Sequence, residues 1–271
     1  MMVAVAVGRA AFAEELVTAV AEQDWKGREM PKEFKITKEV LLQATPEQVW
    51  ETIATEAGLA AWFHPAPVDP ASEMVVAWEP GHRLAIRTPA AGDGSMHAFE
   101  YLIEARGGGS TVLRFVHSGF AGDDWSDEFE PVISGGWDMY LYTLAQYHSH
   151  FSGRRAVYVE AEGPASSAVP EAWPVLVSAL GTGGPAELGS EARIKLPEAG
   201  HLEGVIDYAT ANFVGLRTAD ALIRFHGRWA LNMTVAVSHH AYSDSFDAEA
   251  ARRAWKAWLD QVFAAAGVSP S

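Results

Sequence analysis

Gly109-Ser110-Thr111-Val112-Leu113-Arg114-Phe115-Val116-His117-Ser118-Gly119-Phe120 is the stretch on which the reading of this chain turns. Leu113, Phe115 and His117 fall two residues apart, so they share one face of a β-strand. The same period of two runs back to Met74, through Met74/Val76/Trp78, Leu84/Ile86 and Phe99/Tyr101/Ile103. Pro80-Gly81, Gly92-Asp93-Gly94 and Gly107-Gly108-Gly109 separate these runs. Short alternating runs joined by glycine-rich connectors predict consecutive antiparallel strands with one face buried.

Working outward, Thr45-Pro46-Glu47-Gln48 predicts a helix start, because Thr45 and Gln48 can cap reciprocally and Pro46 sits where a missing N–H costs nothing. Val49, Trp50, Ile53 and Ala57 follow at helical spacing, and Gly58 is the expected stop. Before this helix, Phe34 to Leu42 reads as a strand with Phe34, Ile36, Val40 and Leu42 on one face. On the other side, Asp123, Asp124, Asp127, Glu128 and Glu130 suit the N-terminus of a long helix. Trp137, Tyr140, Leu141, Leu144, His148 and Phe151 form one apolar stripe along it. Gly135-Gly136 costs that helix about 1 kcal/mol each relative to Ala unless something packs closely there.

From Gly153-Arg154-Arg155 onward the pattern looks like a worn copy. Val157, Val159 and Ala161 alternate, and Pro170-Glu171-Ala172-Trp173 echoes Pro46-Glu47-Gln48-Val49-Trp50. Gly204 to Thr210, Ala221 to Phe225 and Trp229/Leu231/Met233/Val235/Val237 are expected strands, and Trp255, Trp258, Leu259 and Val262 stripe a final helix. The stretch ending His239-His240-Ala241-Tyr242 parallels the one ending His117-Ser118-Gly119-Phe120. Pro174 is expected to cut the second unit's first helix short, leaving a divergent copy with fewer strands. The expected division is an N-terminal helical extension over 1–30, a first domain over 31–153 and a second over 154–271.

The chain has 271 residues, 49% of them hydrophobic, which is enough for a packed core and excludes whole-chain disorder. A net charge of −15 argues against a phosphate backbone or an anionic membrane surface as partner. Zero Cys excludes disulfides, thiolate zinc sites and cysteine nucleophiles, and fits a reducing compartment, so a cytoplasmic location is expected. Met1 to Val7 is far shorter than the ~20 residues of a spanning helix. Ala11-Phe12-Ala13 has the form of a signal-peptidase site, but no basic stretch precedes it and Arg9 interrupts the segment, so a short amphipathic helix is expected there.

Strand, two short helices, antiparallel strands and a long helix is the order of the helix-grip, START-like fold. Thr45-Pro46-Glu47-Gln48-Val49-Trp50, Ala61-Trp62-Phe63, Gly109 to Phe120 and Gly136-Trp137-Asp138-Met139-Tyr140-Leu141-Tyr142-Thr143-Leu144 resemble one branch of the SRPBCC group. That branch is the domain homologous to the activator of the heat-shock-protein-90 ATPase, and the resemblance spans about Phe34 to Phe151. It implies a hydrophobic cavity between the curved sheet and the long helix, and a link to the stress response. Trp62, Phe63, Trp78, Phe99, Tyr101, Phe115, His117, Trp137, Tyr140, Leu141 and Leu144 are the expected ligand-binding residues. The same aromatic stripe is also what an ordinary core looks like.

His117 reads either as a hydrogen-bonding or proton-transfer group of that cavity or as a strand-end histidine bonded to backbone. His148 and His150 lie two apart on a helix, and His239 and His240 are adjacent on a strand, so neither pair has the spacing of metal ligands. Glu100 and Glu104 alternate with the apolar face and should point outward. No catalytic residue, cofactor or metal is expected. The first expectation is a small apolar ligand in the first domain's cavity, with little or no catalysis, in a monomer or homodimer. A protein-interaction regulator resembling the co-chaperone, with a protein partner, is the alternative, and a cyclase- or aromatase-like enzyme is a third.

Overall fold

The computed structural model describes residues 32–121 and 129–266. The expected N-terminal extension and the acidic run Asp123 to Glu128 lie outside the described residues.

The first unit opens with β1 (Lys32–Leu42), followed by α1 (Pro46–Ala54) and the one-turn α2 (Glu56–Leu59). Thr45 and Gln48 form the reciprocal cap, with Thr45 N–H donating to Gln48 Oε1 at 2.9 Å. α1 stops at Thr55 rather than Gly58, because Thr55 turns to an extended conformation and its hydroxyl caps α2 by accepting Gly58 N–H at 2.9 Å. β2 (Val75–Glu79), β3 (Arg83–Arg87), β4 (Met96–Arg106) and β5 (Ser110–Ala121) follow, then the long α3 (Phe129–His150). The antiparallel sheet has the order β1-β5-β4-β3-β2. Tyr101, Ile103, Leu113 and Phe115 on one sheet face pack against Trp137, Leu141 and Leu144 of α3.

The second unit repeats the plan with β6 (Val157–Glu162), a 3-10 turn at Ala165–Ser167, α4 (Ala172–Ser178), five further strands and α5 (Ala248–Ala266). The strands are β7 (Glu191–Leu196), β8 (Gly200–Ala209), β9 (Phe213–Arg217), β10 (Ala221–His226) and β11 (Ala236–Ala241), in the order β6-β11-β10-β9-β8-β7. Trp255, Trp258, Leu259 and Phe263 of α5 pack against Leu216, Ile223, Phe225 and Val237. The described residues are thus an α+β tandem of two helix-grip units. Among them no helix is long and apolar enough to cross a membrane.

Several sequence expectations are corrected. Met74 and Val76 do not share a buried face with Trp78; they are 44% and 42% exposed. The register slips between Val75 and Ala77, and this bulge turns Val75 and Trp78 together toward the core. The second sheet has six strands, not fewer than the first, because β7 and β9 were not recognised. Trp229 to Met233 is no strand: Trp229–Leu231 is a 3-10 turn, and Asn232 leaves it with φ of 54°. Pro174 does not end α4; it sits in the first turn, where its absent N–H has no intrahelical acceptor to miss.

α3 is buried on two sides, where the sequence showed one stripe. Val132, Met139, Thr143 and Tyr147 face away from the first sheet, toward the second unit. All six residues of β10 are buried for the same reason: Ile223 and Phe225 point into the second core, while Leu222, Arg224 and His226 face α3. Arg224 is fully buried, donates to both carboxylate oxygens of Asp207 at 2.8 and 3.1 Å, and reaches Thr143 Oγ1 on α3 at 2.7 Å. Tyr242 Oη donates to Ala61 O at 2.7 Å, and His240 Nδ1 meets Ala60 O at 2.8 Å. The ring of Phe213 lies beside Gly135-Gly136, at van der Waals distance from where a Cβ of either would sit.

Candidate functional site

A cavity of about 390 Å³ opens beside the N-terminal half of α3, where Gly136 contributes no side chain. Phe63, Phe99, His117, Trp137 and Tyr140 line it, five of the eleven expected ligand-facing residues. The other six do not line it, five of them buried in the core and Trp78 half-buried. Trp62 is fully buried with its indole donating to Thr52 O at 2.9 Å, and Trp78 packs edge-on against Trp50 at 5.0 Å. Tyr101 and Phe115 pack on each other at 5.1 Å, and Leu141 and Leu144 fill the core beside them. Sheet and helix close on each other along most of α3, so the aromatic stripe is core over most of its length and cavity at one end.

Four first-unit wall residues, His64, His97, Val132 and Ile133, carried no sequence expectation. His97 was detectable in principle, since it stands two residues before Phe99 on the same strand face. Phe213, His226, Arg228 and Leu231 come from the second unit. No local sequence signal marks these, because only the docking of β9 and β10 on α3 brings them to the first unit. The cavity therefore lies between the units rather than wholly within the first.

Its polar groups form an ordered chain. Trp137 Nε1–H donates to His117 Nδ1 at 3.0 Å, and His117 Nε2 lies 3.1 Å from His97 Nδ1. An indole N–H can only donate, so neutral His117 carries its proton on Nε2 and donates it to His97, whose own proton is then on Nε2. His117 is thus bonded to side chains, not to backbone. Burial, then the neighbouring His97, holds His117 down to about 3, and burial also lowers His97, so both rings are neutral near pH 7. Phe34 packs edge-on at 5.0 Å and Phe99 stacks at 4.5 Å, fixing the His117 ring.

The second-unit wall is also satisfied. His226 Nε2 meets Ser238 Oγ at 2.9 Å, and burial with nearby Arg228 lowers its pKa to about 3. Arg228 donates to Thr234 O at 2.9 Å and to Glu162 at 2.7 Å, with Glu160 3.7 Å away. Burial pushes the Tyr140 phenol up to about 12. Among the described residues no carboxylate lines the cavity. Glu100 and Glu104 point outward to Arg83 and Arg114 at 2.7 and 2.8 Å, and Asp138 pairs with Lys38 at 2.7 Å. No group of three or more His, Asp or Glu side chains among the described residues is placed to hold a metal ion.

The fold and site define a two-unit helix-grip architecture with an aromatic, histidine-bearing cavity at the junction. No family model matches the chain, and no curated protein does. Among solved structures, the chain is similar to a protein of Mesorhizobium loti at 19% identity, covering 44% of this chain and 98% of that one, with a TM-score of 0.38. It is similar to the Aha1 dimer of Colwellia psychrerythraea at 17% identity, covering 42% and 96%, with a TM-score of 0.34. It is also similar to the di-domain ARO/CYC BexL of the BE-7585A biosynthetic pathway at 12% identity, covering 84% and 98%, with a TM-score of 0.38.

Proposed function

We propose that the chain binds a small, largely apolar and preferably aromatic molecule in the cavity beside α3, with little or no catalysis. The observation that carries this is the combination of an aromatic wall with a few polar groups, His97 held by the Trp137–His117–His97 chain and the Tyr140 hydroxyl among them. Such a site rewards a flat apolar body with one or two polar atoms, the usual composition of small-molecule pockets.

A cyclase- or aromatase-like activity is the second reading, favoured by the same histidine pair, since His97 could polarise a ligand carbonyl. The co-chaperone-like regulator gains nothing from the interface, because the β10 face of the second unit is already occupied by α3.

Native mass spectrometry on protein from its own host tests the proposal. A co-purifying mass of about 150 to 800 Da is expected, in keeping with pockets of this size. It should be lost in Ile133→Trp, which fills the cavity, and weakened in His97→Phe, which removes the donor. A clean apo mass after gentle purification, with no apolar ligand stabilising the native state, would refute the reading.

A further inference from the structure

The second unit repeats the core of the site. Trp255 Nε1–H donates to His239 Nδ1 at 3.1 Å, as Trp137 does to His117. The strand registers agree, since Phe99 pairs with His117 and Ile223 pairs with His239. Two residues earlier on the same face, however, β4 carries His97 and β10 carries Ala221. This replacement leaves the second histidine without the partner that the first one has. By the argument applied to His117, the proton of neutral His239 is on Nε2. Among the described residues that N–H meets no acceptor, and it stays accessible although His239 as a whole is only 5% exposed.

The ring borders a separate cavity of about 330 Å³ between β8, β10, β11 and the first turns of α5. Trp255, Phe246, Leu202 and Ala251 give it apolar walls, with His201 and Glu203 of β8 and Thr218 and Asp220 at the β9–β10 turn on its polar side. Phe246 holds the His239 ring edge-on at 4.8 Å. Without a ligand, water reaches that donor, and a ligand oxygen held against the apolar walls would take the water's place.

We infer that the second unit is a binding site in its own right, for a compact apolar molecule whose carbonyl oxygen accepts the hydrogen bond of His239. It stands on residues that share nothing with the cavity beside α3, so the two sites are separable. The first relays its donor through His97 and takes a ligand bounded by both units, whereas the second presents its donor directly.

The test uses the full chain and a matched pair of probes, 1-tetralone and tetralin, which differ by one carbonyl. Binding is read from the assigned indole N–H resonances of Trp255 and Trp137 in the 1H–15N spectrum. The ketone should shift Trp255 saturably and bind about tenfold more tightly than the hydrocarbon, the worth of one buried hydrogen bond. His239→Phe should erase that preference while tetralin still binds. Ala251→Leu, which narrows the cavity without touching the His239–Trp255 bond, should weaken both probes at Trp255 and leave the Trp137 response unchanged. If His239→Phe does not fold, the ketone-to-hydrocarbon ratio and Ala251→Leu still decide. Equal affinity for the two probes, or a response at Trp137 alone, would overturn the inference, and the latter result would leave the first cavity's function intact.

Discussion

Lowering the pH from 7.5 to 5.5 should strongly destabilise this protein through its buried histidines. Five of its ten histidines, His117, His148, His226, His239 and His240, are at most 5% exposed. Burial holds His117, His226 and His240 down to about 3, and His148 and His239 down to about 4. In the unfolded chain each titrates near 6.5. A proton that the unfolded chain binds and the folded chain refuses lowers stability as pH falls, so the loss begins near pH 6.5 and ends only when the folded rings titrate at about 3 to 4. At pH 5.5 each histidine contributes about 1.4 kcal/mol of destabilisation, about 7 kcal/mol in all, against a total stability of roughly 5–15 kcal/mol. Halving every shift changes this little, because pH 5.5 would still lie above the folded values. Urea unfolding followed by tryptophan fluorescence and by circular dichroism, at pH 7.5, 6.5 and 5.5 and fixed ionic strength, measures it. Stability should drop by about 5–7 kcal/mol over that range, with proton uptake on unfolding approaching four to five at the acid end. His148→Phe should reduce the uptake by about one proton. A fall below about 2 kcal/mol would show that these rings are protonated or hydrated in the native state and would refute the argument.

Three further outcomes are expected. Asp207→Ala should cost about 3–5 kcal/mol by stranding the buried Arg224 charge, while Asp207→Leu combined with Arg224→Met should cost less than the single change, as a urea-denaturation double-mutant cycle would show. Gly136→Ala should stabilise α3 by about 0.5–1 kcal/mol, since the new methyl meets the Phe213 ring at an ordinary 3.7 Å. Gly58→Ala should lower the thermal midpoint sharply, because its Cβ would lie 2.1 Å from the Glu51 carbonyl oxygen.

Much of each unit could be read locally. The Thr45–Gln48 cap, the alternation through Phe99, Tyr101 and Phe115, and the α3 stripe depend on neighbours within a few residues, and the structure keeps them. The errors arose where pattern and partner part company. Met74 and Val76 alternate properly, but one extra residue in β2 turned them out. Trp229 to Met233 alternates too, yet no neighbouring strand claims it, and it folds as a turn. β9 was missed because Phe213-Val214-Gly215-Leu216-Arg217 is buried on both sides and so shows no alternation.

The sequence by itself determined the first helix-grip unit and the outline of the second, since strand and helix periodicities are written into consecutive residues. It also marked Phe63, Phe99, His117, Trp137 and Tyr140. Only the tertiary structure decided which of the aromatic stripe is wall and which is core, and that Phe213, His226 and Arg228 complete the cavity. The reason is distance along the chain: residues of the second unit meet the first only when β10 docks on α3 through Arg224 and Thr143, 81 positions apart.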